Sequence, residues 1–71
     1  MVDTKIIKAE LIMQEKSMKE MADHVGINID TAYRWMRNPE LITLDGAAKI
    51  SEFLGWSPEK ASEIFLSNHV Q

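Results

Sequence analysis

The stretch 26-GINIDTAYRWMRN-38 decides how the chain folds, because it holds a turn, a cap and one short two-sided helix. Gly26 can end a preceding helix, since it tolerates a positive φ. Asn28 is a good N-cap, and Asp30 follows in the first turn, where a negative charge is favoured. At 3.6 residues per turn, Ala32, Trp35 and Met36 share one side of this helix. Asp30, Tyr33, Arg34 and Arg37 share the other, with Ile29 at the border. Trp35 is therefore expected in the core, and the two arginines beside it in sequence are expected on display. Asn38-Pro39 stops the helix.

The pattern extends upstream. Ser17 and Glu20 stand at capping-box spacing. Met18, Met21, Ala22 and Val25 follow the i, i+3, i+4, i+7 stripe of an amphipathic helix. Only Gly26, Ile27 and Asn28 separate the two helices. A small Ala22 permits a close crossing, Gly26 makes the turn, and Ile27 plugs the angle. This is the physics of a helix-turn-helix over about 18–37.

Three more helices are expected around it. The first begins at Asp3 or Thr4 and runs to about Lys16. Its apolar residues, Ile6, Ile7, Ala9, Leu11, Ile12 and Met13, wrap too much of the cylinder to assign one inner face. The fourth is capped by Thr43 and stops at Gly55, with Asp45, Lys49 and Glu52 as its wet stripe. The fifth opens at Ser57-Pro58. It turns Ala61, Ile64 and Phe65 inward and leaves Leu66 and Val70 outside with Glu59 and Glu63. Trp56 is expected to be a partly buried staple between them. No segment alternates in the manner of a strand, so the expected class is all-α, five helices in a single domain, 1–71.

Composition narrows the function. The 71 residues include no Cys and only two His, His24 and His69, far apart in sequence. Neither a disulfide framework nor a metal site is expected. No apolar run approaches membrane length. The N-terminal "MVDTKIIKAE" lacks the basic-then-apolar order of a signal peptide, which makes the cytoplasm the expected compartment. There is no nucleophile beside a His, no glycine-rich phosphate loop and no evident carboxylate pair, so an enzyme is not expected and no cofactor or small-molecule ligand is implied. The net charge is −3. Residues 1–39 balance their charges, and the excess of acid lies in 40–71. A polyanion held by the first half would be repelled by the second, which fixes orientation.

The stretch "MADHVGINIDTAYRWMRN" resembles the helix-turn-helix of the lambdoid phage Cro and repressor family. "TLDGAAKISEFLGWSPEKASEIF" resembles that family's fourth and fifth helices, especially in small phage regulators of Gram-positive hosts. Lys16 takes a place that is usually apolar there. The resemblance implies a five-helix lambda-repressor-like DNA-binding domain whose third helix enters the major groove of an operator. The implied contact residues are Lys19, Asn28, Ile29, Asp30, Thr31, Tyr33, Arg34 and Arg37. Arg34 would pair with guanine, Ile29 would pack on a thymine methyl, and Asp30 would accept from cytosine or steer Arg34. Asn28, Tyr33 and Lys19 would hold phosphates. The implied function is a Cro-like repressor that occludes a promoter in a bacterial host cell. The alternative is a protein-binding modulator or antirepressor on the same fold. Few phosphate-binding cations per copy suggest a weak homodimer, formed on DNA, with Leu66 and Val70 as its interface.

Overall fold

A computed structural model describes residues 3–66. These form five α-helices: α1 (Thr4–Met13), α2 (Met18–Val25), α3 (Ile29–Arg37), α4 (Leu44–Leu54) and α5 (Pro58–Leu66), with a short 3-10 turn, Pro39–Leu41, between α3 and α4. None of the described helices is long and apolar enough to cross a membrane.

Each helix starts where a short polar side chain meets the orphan N–H groups of the first turn. The Asp3 carboxylate accepts from the Lys5 N–H at 3.0 Å. Ser17 and Glu20 form a complete capping box, Ser17 Oγ accepting from Glu20 N at 3.0 Å and Glu20 Oε1 from Ser17 N at 2.7 Å. Asn28 Oδ1 accepts from Asp30 N, Thr43 Oγ1 from Gly46 N and Ser57 Oγ from Lys60 N. Gly26 and Gly55 end α2 and α4 in the left-handed region, at φ 86° and 73°.

The end of α1 differs from the sequence expectation. The helix stops at Met13 instead of running to Lys16. Glu15 adopts φ 55°, and the Lys16 N–H closes back on the Leu11 carbonyl at 2.8 Å. A glycine-type ending is thus made by a glutamate, at a steric cost of about 1–2 kcal/mol. The early stop brings a compensating contact. It lets Lys16 lay its stem against α4, donating to the Phe53 carbonyl at 2.8 Å with its ammonium 4.5 Å from the Phe53 ring centroid. A long side chain with an apolar stem and a polar head suits this half-buried position.

The core gathers one face from every helix. Ile7 and Leu11 come from α1, Met21, Ala22 and Val25 from α2, Ala32, Trp35 and Met36 from α3, and Ile50 and Leu54 from α4. Phe65 of α5 and Trp56 of the α4–α5 link complete it. α2 lies at the centre, packed on both α3 and α4, and α5 rests on α4. Ala22, only 1 % exposed, gives α2 and its neighbours their close approach. Trp56 is more deeply covered than a partial staple. Its ring pairs with Phe65, and its indole N–H points to Glu10 Oε1 at 3.4 Å.

Candidate nucleic-acid interface

α3 is built as a helix with two chemistries. Its inner residues, Ala32, Trp35 and Met36, are 0, 7 and 4 % exposed. Asp30, Tyr33, Arg34 and Arg37 are exposed, Ile29 is just on the exposed side of the border, and Thr31 is half-buried. The expected partition of this helix is therefore present, residue by residue.

Two contacts with other helices hold that helix in place, and neither is legible in local sequence. The indole of Trp35 lies close against α4 at Gly46. A Cβ on residue 46 would come within 2.5 Å of Trp35 Cη2 and 2.6 Å of Cζ3. Only glycine leaves room there, although its φ is ordinary. At the far end of α3, Thr4 Oγ1 donates to the Met36 carbonyl at 2.9 Å, tying the start of α1 to the last turn of α3. Pro39, buried, leads the 3-10 turn that redirects the chain into α4.

The displayed side chains are available to different degrees. Arg34 and Arg37 form no ion pair among the described residues; the i, i+4 pair of Arg34 with Asp30 is not made. Both guanidiniums keep their full set of donors. Asn28 uses its carbonyl oxygen as the helix cap, at 2.7 Å from Asp30 N, so the free half of its amide is a donor. That half suits an anion, and the cap fixes its direction. Lys19 differs. It pairs with Asp23 at 3.2 Å on α2, although both side chains are well exposed and the pair is weak in water. A phosphate at Lys19 would compete with Asp23.

α2 is braced against α4 by His24. Its Nε2 lies 2.8 Å from Glu52 Oε1, and its ring tilts against Phe53 at 5.3 Å between centroids. With Lys16 also over the Phe53 ring, this ring carries a contact from α2 and one from the α1–α2 link. His24 is thus a surface residue with an inter-helix contact that its sequence does not reveal.

The remaining expected interface residues are Leu66 and Val70. Leu66 is 45 % exposed at the end of α5. Val70 lies outside the described residues. Among the described residues no group of three or more His, Asp or Glu side chains is placed to hold a metal ion. No family model, curated protein or solved structure gives a significant match to this chain.

Proposed function

We propose that this protein is a sequence-specific DNA-binding transcription regulator of the Cro and repressor type, with α2 and α3 as its helix-turn-helix and α3 as the reading helix. The observation that carries this reading is the outer face of α3. It presents two guanidiniums that are unpaired among the described residues, a phenol, a capped amide and an aliphatic side chain on one short helix. That mixture suits a major groove, where guanidinium reads guanine, aliphatic groups meet thymine methyls and amides hold phosphates. The rigid backing of Trp35 on Gly46 supports the same reading, because a reading helix must hold its side chains at fixed angles. Bound across a promoter, such a domain would act by occlusion, with no cofactor.

Selection of binding sites from random duplexes, at low salt, tests this directly. A recurring site of about one helical turn per bound copy is the expected result. Enrichment of no sequence would set the DNA reading aside.

A second reading, a protein-binding modulator on the same fold, has one observation in its favour. Directly after α3 the chain exposes Glu40, Leu41 (46 %) and Leu44 (83 %), an acidic and apolar edge unsuited to phosphate. It predicts that Leu41 and Leu44, rather than Arg34, govern the chain's binding to its target.

A further inference from the structure

Two surfaces of the monomer lack an internal explanation, and they match each other. The first is on α1. Lys5, Lys8 and Ile12 stand at i, i+3 and i+7 and so form one stripe along the outside of the helix. Ile12 is 77 % exposed, an unusual position for a large aliphatic residue next to an otherwise well-filled core. Neither lysine forms an ion pair among the described residues. The second surface is on α5. Glu59, Glu63 and Leu66 stand at i, i+4 and i+7 on its outer side. Neither glutamate forms an ion pair among the described residues, whereas Lys60 turns away to Glu10 at 3.9 Å. Beside Leu66 an apolar groove of about 140 Å³ opens between α4 and α5, walled by Ala48 and Phe65 among others.

The two stripes carry opposite charges in the same order. Each runs charge, charge, apolar over seven residue steps, about 10 Å of helix. Laid parallel, they set Lys5 on Glu59, Lys8 on Glu63, and Ile12 at Leu66 beside the groove. We propose that the protein associates head to tail with a second copy of itself, the α1 stripe of one copy lying along the α5 stripe of the next, with Ile12 seated at the α4–α5 groove. A symmetric α5-to-α5 pairing would use the same Leu66, but it would bring Glu59 and Glu63 against their own counterparts. The head-to-tail contact replaces that repulsion with attraction. Being heterologous, it repeats, closing into a ring or running on as an open chain. The contact area of two short helices makes it a weak association.

Sedimentation of the free protein at low salt, with no DNA present, reads this contact independently of any DNA binding. Self-association should rise with concentration and fade as salt screens the charges. Lys8→Glu and Glu63→Lys should each weaken it about tenfold or more, by setting like charges together. Mixing the two variants should restore it, because each altered stripe then meets its complement. Ile12→Ser should abolish it while the circular dichroism spectrum stays that of the wild type. A wild-type chain that remains monomeric at roughly millimolar concentration overturns the proposal. So does association that Leu66→Asp blocks but Lys8→Glu leaves intact, which is the mark of the symmetric pairing. Loss of DNA affinity in Lys5→Glu and Lys8→Glu without any change in self-association also overturns it, and assigns the α1 lysines to phosphates.

Discussion

α1 and α3 are helices of nearly equal length with opposite divisions of their surface. α3 buries Ala32, Trp35 and Met36 and shows solvent a polar face. α1 buries Ile7 and Leu11 but leaves Ile6, Ile12 and Met13 exposed, the last two at 77 and 76 %. For α3 the monomer accounts for every apolar side chain except Ile29 and the ring of Tyr33, at 37 and 46 % exposed, so its outer face is left open for the polar partner proposed above. For α1 the monomer buries only Ile7 and Leu11 and leaves the other apolar side chains exposed. The difference between the two helices supports a different kind of partner for each, as proposed above. A polar face backed by a rigid core suits a polar ligand, while an apolar residue left in water suits another protein surface.

The largest effect should come from the inner face of α3. Trp35→Ala removes a ring that is 7 % exposed and opens a cavity at the centre of a small core. The expected cost is roughly 3–5 kcal/mol, comparable to the whole stability of a small domain. Urea denaturation followed by circular dichroism measures it. The matching truncation on α1, Ile12→Ala, should change stability by less than about 0.5 kcal/mol. Equal losses from the two substitutions would break the contrast between these helices.

Gly46→Ala probes the same ring from the other side. Its methyl would lie within 2.5 Å of the indole, so Trp35 or α4 must move. Overpacking of this kind costs about 1–3 kcal/mol, although alanine is the better helix former. A variant more stable than the wild type would show that the indole has slack, and that α3 is less firmly seated than its contacts indicate.

On the outer face of α3 the effects belong to binding, not folding. Arg34→Ala should weaken a selected operator by about 1–3 kcal/mol and relax the choice at one base pair, with the unfolding midpoint unmoved. Lys19→Ala should weaken all duplexes alike and lower the salt slope by about one unit. Fluorescence anisotropy over a salt series distinguishes the two. If both variants bind as the wild type does, α3 is not the reading helix.

The smallest effect concerns how α1 is anchored. Donation from Gln14 Nε2, then from Trp56 Nε1, holds the Glu10 carboxyl below the usual carboxylate range, with Lys60 and Lys16 adding favourable charge and desolvation opposing them. A depressed folded-state value means that the stabilisation is present above the unfolded range and is lost as pH falls through the folded one. Wild-type stability should therefore drop more steeply below about pH 5 than that of Glu10→Gln. Denaturation midpoints measured across that range test it. Parallel curves would show that Trp56 is held by packing alone.

The bounds of α2, α3 and α4, the start of α5, and the two faces of α3 were legible in sequence because they rest on neighbours. Caps act within three residues, glycine ends a helix through its own φ, and an apolar stripe repeats every turn. α1 resisted the same reading, since its apolar residues encircle the helix and no glycine marks its end. There the outcome depended on Glu15 entering the left-handed region while Lys16 found the Phe53 carbonyl on α4, 37 residues away. The seating of α3 was hidden for the same reason. Gly46 sits in the first turn of α4 and reads as a weak helix former until Trp35, eleven positions earlier, is seen to lie against it. Sequence alone determined which side of α3 faces solvent, because that is a property of one helix. Tertiary structure alone decided what holds α3 in place, that Arg34 leaves Asp30 unpaired, and that no described residue covers the stripes on α1 and α5. Each of those depends on which helix arrives at a given surface, and local periodicity carries no information about that.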